Sequence, residues 1–125
     1  MKIPSNYTRV MPYLILNRTN EFSKFMADVF DAKEQMIVPT QGGAVMHGEL
    51  RIGDGVIMFA EAGGEFNVMN AGIFIYVEDT DSTYQKALAA GATTVPGQEP
   101  ADKEYGRACG VRDPFGNTWW ITSVK

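Results

Sequence analysis

The stretch that decides the fold is Tyr105-Gly106-Arg107-Ala108-Cys109-Gly110-Val111-Arg112-Asp113-Pro114-Phe115-Gly116-Asn117-Thr118-Trp119-Trp120-Ile121. Its Asp-Pro pair opens a turn with a fixed φ, and its Gly-Asn pair closes the turn with residues that tolerate positive φ. Aromatic and β-branched residues resume on the far side of the turn. The stretch therefore predicts a β-hairpin.

A second hairpin with the same layout lies upstream, in residues 47–59. Its two strands are joined by Gly53-Asp54-Gly55, which are turn residues. When the two hairpins are overlaid, Leu50 corresponds to Val111, which lies 61 residues later. An offset of 61 or 62 residues recurs along the chain, which indicates that the chain is built twice.

Each half has the order strand, helix, strand, strand, strand. In the first half, apolar residues spaced three and four apart predict an amphipathic helix that packs on a sheet. The expected elements of this half are a strand at 7–16, a helix at 22–30, and strands at 33–39, 44–52 and 56–62. Those of the second half are a strand at 71–77, a helix at 82–90, a short strand at 93–95, a loop at 100–104 and the terminal hairpin.

The sequence therefore predicts an α+β fold made of two βαβββ modules in tandem, residues 1–62 and 63–125, within one structural domain. A single module of this length cannot cover both faces of its sheet, so two modules are expected to pack together. Each helix would cover one face. The remaining concave faces are expected to curl as a mixed sheet around a pocket between the modules.

The composition of the chain argues against a nucleic-acid-binding protein and against a membrane-spanning protein. The chain has 125 residues, is 45% hydrophobic and carries a net charge of −4, with its basic residues scattered singly. Scattered basic residues argue against nucleic-acid binding, and the longest apolar run, residues 10–16, is too short for a membrane span. With no signal-peptide pattern and a lone Cys109, a cytoplasmic protein without disulfides is expected.

Several of these features together resemble the vicinal oxygen chelate superfamily, which includes glyoxalase I, extradiol dioxygenases and bleomycin-resistance proteins. They are the paired modules, the opening Tyr-Leu-Ile-Leu…Phe-Ser-Lys-Phe, and Asp113-Pro114-Phe115-Gly116-Asn117 before the last strand. Within the superfamily, residues 46–53 and Phe115 resemble the PhnB-like branch. The resemblance implies a pocket enclosed by the sheets and a homodimer, often with strands contributed across it.

The resemblance also bears on metal binding. Enzymes of this superfamily hold one divalent metal through His, Gln or Glu at four equivalent strand positions. Carried onto this sequence by strand alignment, the four positions are Met11, Met58, Gly72 and Trp120. None of these residues offers an imidazole or a hard oxygen ligand. The usual metal centre is therefore expected to be absent, and no cofactor is expected.

His47, Glu49 and Arg51 share one face of the third strand, and Met46 and Leu50 share the other. If the apolar set packs under a helix, the polar set faces the pocket or its rim. His47 and Glu49 are the candidate catalytic residues. Two residues apart on a strand, they are two metal ligands, a general base with its orienting partner, or a structural hydrogen-bonded pair.

The expected ligand wall is apolar and aromatic. Trp119 and Trp120 should point to opposite faces of the last strand, with Trp120 in the cavity. Arg107 is either an anchor for an anion or a partner of carboxylates on the rim, and Arg112 is expected to be structural. The expected ligand-binding residues are Met11, Tyr13, His47, Glu49, Met58, Phe74, Tyr76, Arg107 and Trp120. Such a wall suits a flat or hydrophobic ligand, unless these side chains fill the space completely.

Three hypotheses of function follow. The first is a metal-free homodimer that binds a hydrophobic or aromatic small molecule between its modules. The second is a metal-dependent lyase, isomerase or dioxygenase with a relocated centre at His47 and Glu49. The third is a scaffold whose pocket has closed and whose dimer surface carries the function.

Overall fold

A computed structural model describes residues 1–125. The chain forms two compact units, the first made of Met1–Ala27 and Asp31–Met69 and the second of Asp28–Phe30 and Asn70–Lys125. The modules expected at 1–62 and 63–125 were drawn from the sequence repeat and stay a prediction. Neither helix of the structure has the length and apolar content needed to span a lipid bilayer.

The first unit has a four-stranded sheet in the order β1-β4-β3-β2. Its elements are β1 (Tyr13–Leu16), α1 (Thr19–Phe30), β2 (Lys33–Pro39), β3 (Val45–Ile52) and β4 (Gly55–Glu61). β1 runs parallel to β4, whereas β2, β3 and β4 are antiparallel neighbours. One face of this sheet carries α1; its opposite face is called the open face below.

The second unit repeats this topology, which confirms the predicted α+β fold. Its elements are β5 (Gly72–Tyr76), α2 (Thr80–Ala89), β6 (Thr93–Thr94), β7 (Ala101–Lys103), β8 (Gly106–Arg112) and β9 (Thr118–Val124). The sheet order is β5-β9-β8-β6, with β7 also paired to β8. β5 runs parallel to β9, as β1 does to β4.

Helix α1 presents the predicted apolar face. All five members of the apolar set are buried: Phe22, Phe25, Met26, Val29 and Phe30. The Phe22 ring meets the buried Phe59 ring of β4 edge to face, with centroids 5.1 Å apart. At the start of the helix, Glu61 of β4 accepts hydrogen bonds from the Thr19 N–H at 3.1 Å and the Thr19 hydroxyl at 2.7 Å. A carboxylate there satisfies an unpaired N–H group and complements the helix dipole.

Helix α2 has a distinct capping feature at each end. The Asp79 side chain accepts a hydrogen bond from the Ser82 N–H at 3.1 Å, which caps the helix. Gly91 adopts a φ of 102° just after the last turn, a conformation that glycine reaches without steric cost.

Two predicted boundaries are wrong. β1 begins at Tyr13 rather than at residue 7, because Pro12 has no N–H for a ladder; its carbonyl accepts the Met58 N–H at 2.9 Å. The expected loop at 100–104 contains strand β7, in which Asp102 pairs with Arg107 of β8. An ion pair of 3.2 Å between these two side chains also links the strands.

A β-bulge at Met46 corrects the predicted faces of β3. His47 pairs with Val38 and Val45 pairs with Pro39, so Met46 is an extra residue that reverses the alternation before His47. Val45 is consequently buried, with its N–H bonded to the Thr19 hydroxyl of α1 at 3.0 Å. Met46, expected under the helix, is 55% exposed.

The turn that follows β8 is organised by the Asp113 carboxylate. One oxygen accepts hydrogen bonds from the Phe115 and Asn117 N–H groups, both at 2.9 Å. The other accepts from the Asn117 side-chain amide at 2.9 Å and from the Trp119 indole N–H at 2.8 Å. Trp119 is fully buried and Trp120 is 38% exposed, which confirms that the two indoles lie on opposite faces.

Candidate functional site

A chain of hydrogen bonds crosses the open face of the first sheet and centres on Glu49. The His47 Nε2 lies 2.8 Å from one Glu49 oxygen, and the Tyr13 hydroxyl lies 3.0 Å from His47 Nδ1. The Tyr7 hydroxyl and the Gln35 amide donate to the other Glu49 oxygen at 2.9 and 3.0 Å. Glu49 is 3% exposed, so these bonds replace its solvation.

The hydrogen bonds determine the charge state of Glu49. Burial raises the pKa of its carboxyl, but bonds from His47, Gln35 and Tyr7 lower it by more, and the net pKa lies below the ordinary value. The hydrogen bond to Glu49, together with burial, raises the pKa of Tyr7 above its ordinary value. At neutral pH the cluster therefore holds a Glu49 carboxylate that accepts hydrogen bonds from Tyr7, Gln35 and His47.

Gln35 reaches Glu49 because of a second bulge. Glu34 pairs with Leu50 and Met36 with Glu49, which leaves Gln35 as the extra residue of β2. The Gln35 oxygen in turn accepts the Arg51 Nε–H at 3.2 Å. The Gln35 side chain therefore links Arg51 to Glu49, and Arg51 is the cation that follows Glu49 most closely along the chain of hydrogen bonds.

A cavity of about 570 Å³ opens on the same unit, next to this chain. Its lining is mostly apolar and comes from β1, β3, β4 and the segments around them. The lining residues are Tyr13, Ile15, Thr40, Met46, Ala60, Glu61, Phe66 and Met69. Met69 pairs with Ile15 through two backbone hydrogen bonds, which fixes the segment after β4 along the edge of β1.

A smaller recess of about 300 Å³ lies in the N-terminal part of the unit. Its wall includes Met11 and Met58, two of the predicted binding residues, together with Tyr7 and Arg9. Because Tyr7 bonds Glu49 and Tyr13 bonds His47, the hydrogen-bonded chain connects the walls of the two recesses.

One face of the second sheet carries a row of exposed aromatic residues, Phe74, Tyr76 and Trp120. Phe74 and Tyr76 contact each other edge to face, with ring centroids 5.2 Å apart, and Phe74 pairs in register with Trp120. Thr122, paired with Tyr76, has a buried hydroxyl without a hydrogen-bond partner. The predicted binding residues Phe74, Tyr76 and Trp120 therefore share one face of the sheet, and their role in binding stays a prediction.

Arg107 has a different environment from the other predicted binding residues. Its guanidinium donates two hydrogen bonds to Asp81 of α2, at 2.8 and 3.1 Å, and a third to Asp102. These bonds from Arg107 hold the pKa of the Asp81 carboxyl below its ordinary value. Of the two roles expected for Arg107, anchor for an anion or partner of carboxylates, this geometry favours the second. The ion pairs link strand β8 to helix α2 and to strand β7.

Cys109 is unsuited to nucleophilic chemistry. It is 3% exposed in the middle of β8. Burial, with a smaller contribution from Asp81, raises the pKa of its thiol to about 11, so it stays protonated at neutral pH.

The residues present do not fit the superfamily's metal centre. Met11, Met58, Gly72 and Trp120 offer neither imidazole nor carboxylate at the four carried-over positions. A relocated centre at His47 and Glu49 would have two ligands, which are bonded to each other, and no group of three His, Cys, Asp or Glu side chains surrounds a point that could hold an ion.

The sequence predicted Tyr13, His47 and Glu49 as binding residues, and in the structure they are joined by hydrogen bonds. The sequence prediction missed Tyr7 and Gln35, the other two partners of Glu49, and most of the residues that line the cavity. The signal for Ile15 and Ala60 was available, since they continue the alternation of Tyr13 and Met58 along their strands.

Known proteins resemble the chain over nearly its whole length. "Uncharacterized protein Mb0911c" of Mycobacterium bovis is 32% identical over 120 residues, covering 86% of this chain and 78% of that protein. The crystal structure of TioX from Micromonospora sp. ML1 is 24% identical, covers 94% of this chain and 99% of that one, and gives a TM-score of 0.76. TnmS3 from Streptomyces sp. CB03234, an antibiotic binding protein, is 12% identical, covers 95% of this chain and 100% of that one, and gives a TM-score of 0.71.

The family model that matches the chain extends across both units. It is that of the glyoxalase/bleomycin resistance protein/dioxygenase superfamily, and it matches residues 8–121. Both helices, both hairpin turns and all strands but the end of β9 lie within this range. The chain therefore belongs to the glyoxalase/bleomycin resistance protein/dioxygenase superfamily.

Proposed function

We propose that this protein binds a hydrophobic or aromatic small molecule, without a metal, in the cavity of about 570 Å³ of its first unit. The observation that carries the proposal is the composition of the wall. It combines apolar side chains with one tyrosine hydroxyl that is hydrogen-bonded to a buried polar cluster. Ligand pockets have this combination, since apolar area supplies affinity and a few placed polar groups orient the ligand.

The exposure of the wall supports a ligand. Four of its large apolar side chains are between 45% and 66% exposed: Tyr13, Met46, Phe66 and Met69. Isolated exposed apolar residues are ordinary, but a contiguous group around a cavity indicates a binding surface. Methionine side chains adapt to ligands of different shape, so the wall suits a group of related compounds rather than one rigid shape.

The comparisons give this proposal its context. TnmS3, which shares the fold, is an antibiotic binding protein. The His-Gly-Glu-Leu-Arg-Ile-Gly stretch, residues 47–53, supports placing the chain in the PhnB-like branch of its superfamily. We extend the proposal to that branch and to a cytoplasmic location, which the single buried thiol of Cys109 supports.

The proposal includes a homodimer. Phe74, Tyr76 and Tyr105 form an exposed aromatic cluster in the second unit, with ring centroids 5.2 and 6.4 Å apart, and such clusters are typical of protein interfaces. Light scattering after size exclusion is expected to give twice the mass of one chain, 13.8 kDa. A Tyr76→Asp variant should shift the mass toward one chain, and a single-chain mass for the unmodified protein would contradict this part of the proposal.

Ligand binding is tested with N-phenyl-1-naphthylamine, an uncharged aromatic probe that fluoresces in apolar sites. Ala60 lies on the cavity wall, so an Ala60→Phe variant fills part of the cavity while the sheet stays intact. We expect its affinity for the probe to fall at least about tenfold, the equivalent of about 1.4 kcal/mol. The matched control is Ala101→Phe, on strand β7, because Ala101 is not among the residues that line the cavity. Equal affinities for both variants would contradict binding at this cavity.

A further inference from the structure

The hydrogen-bonded chain from Tyr13 to Glu49 leads from a cavity wall to a buried charge. Tyr13 is 45% exposed and lines the cavity, the His47 side chain is 28% exposed, and Glu49 is 3% exposed. The two links measure 3.0 and 2.8 Å, which are hydrogen-bond distances. One end of this hydrogen-bonded chain therefore lies where a bound ligand could contact it, which a purely structural role does not require.

The partners of Glu49 determine which atom carries the hydrogen in each hydrogen bond between Tyr13, His47 and Glu49. Its carboxylate accepts from Tyr7, Gln35 and His47, so the hydrogen between His47 and Glu49 belongs to His47 Nε2. A neutral imidazole carries one hydrogen, which leaves Nδ1 as an acceptor. Tyr13 therefore donates its hydroxyl hydrogen to Nδ1. The lone pairs of the Tyr13 oxygen are then available to accept a hydrogen from a ligand.

We propose that Tyr13, His47 and Glu49 form a proton-accepting relay that removes the proton from a weakly acidic hydroxyl group, a phenol or an enol, of the compound bound in the cavity. This inference rests on the proposed function. The O–H bond of the ligand breaks and its proton bonds to the Tyr13 oxygen, while the Tyr13 proton moves to His47 Nδ1. The electron pair stays on the ligand oxygen, and Glu49 stabilises the imidazolium; no oxidant or reductant takes part. A histidine held between a hydroxyl and a carboxylate serves as a general base in the same way.

The charges of the cavity select a ligand that arrives neutral. No Lys or Arg lines the cavity, and the one charged side chain in its wall is Glu61. A compound already ionised, such as a carboxylate, meets no cation there, is repelled by Glu61 and brings no proton that would convert His47 into a compensating cation. A phenol or enol enters uncharged and is ionised only when it meets the relay. The other titratable groups bonded into the relay are Tyr7 on Glu49 and, through Gln35, Arg51.

The relay is tested with 4-nitrophenol, whose phenolate is coloured and whose protonation is therefore read directly by absorbance. With the protein in excess, we expect the pKa of the bound phenol to fall by about one unit, a tenfold shift toward phenolate. Tyr13→Phe keeps the aromatic wall and removes the hydroxyl, and His47→Gln removes the proton acceptor; both are expected to abolish the shift. Tyr84→Phe, the same change on α2, where the hydroxyl is also hydrogen-bonded to a neighbour, should keep it. 4-Nitrobenzoate, which has the same ring but is already an anion, is expected to bind at least tenfold more weakly.

The outcomes separate this inference from the proposed function. Bound 4-nitrophenol that titrates like the free compound would overturn the relay, as would a shift that survives in both Tyr13→Phe and His47→Gln. Exclusion of 4-nitrophenol while N-phenyl-1-naphthylamine still binds at the cavity overturns the relay alone. Failure of both probes to bind overturns the inference together with the proposed function.

Discussion

Replacement of Asp113 by alanine is expected to lower the free energy of unfolding by about 4 kcal/mol, a large part of the stability of a domain of this size. The substitution removes the acceptor of four hydrogen bonds at once. Asn117 and Trp119 are completely buried, so their N–H groups would be left in the protein interior without a partner. Urea denaturation followed by tryptophan fluorescence measures the loss.

The control for Asp113→Ala is Asp54→Ala. Asp54 is also an aspartate in a turn between two antiparallel strands, but it is exposed. Its replacement is expected to change the free energy of unfolding by no more than about 0.5 kcal/mol. If Asp113→Ala lost less than about 1.5 kcal/mol, the buried carboxylate would not be the centre of the turn, because a single unpaired buried donor already costs that much.

Replacement of Gly48 by alanine is expected to cost about 2 to 3 kcal/mol, because a core without free volume cannot accept another methyl group without shifting. A Cβ atom at Gly48 would lie 2.5 Å from Cζ of Phe59, the residue with which Gly48 pairs across the sheet. Phe59 is fully buried against Phe22 of α1, so its ring has no room to withdraw. The glycine between His47 and Glu49 is thus required by packing. The midpoint of urea unfolding reports the cost.

Gly72→Ala is the matched control, since Gly72 is also a strand glycine. It is exposed, and a Cβ atom there meets nothing within 4 Å. Its replacement is expected to be neutral or slightly stabilising, because alanine loses less backbone entropy on folding. Equal losses for the two variants would show that Gly48→Ala acts through strand propensity, and not through contact with Phe59.

The duplicated fold could be predicted because its signals are local and repeated. Apolar spacing marks α1, cap residues mark α2, and turn residues mark both hairpins, and each signal occurs at the same offset in the two halves. Agreement between such independent local signals leaves few other folds open. Of the two wrong boundaries, the one at Pro12 has a local cause, and the one at Asp102 lies where a tertiary contact decides the assignment, since that strand is short and paired on one side only.

The candidate site could be predicted only in part. His47 and Glu49 share a strand face, so alternation was enough to bring them together. Tyr7 lies 42 residues from Glu49 in sequence, and nothing near it marks its hydroxyl as a partner of a buried carboxylate. Gln35 and Met46 are placed by bulges, and a bulge depends on the register of two strands, which a single strand's sequence does not contain.

The bulge at Met46 also determines how this family member can change length during evolution. The loop at residues 40–44 leads into β3, and a one-residue insertion or deletion at the start of this strand would ordinarily turn the side chains on one side of the change to the wrong face. Because β3 already departs from regular pairing at Met46, it has a point where such a change in length can be absorbed. The strand beyond this point, with His47 and Glu49, keeps its orientation. The loop can therefore diversify, and with it the entrance to the cavity, while the chemistry behind it is inherited unchanged.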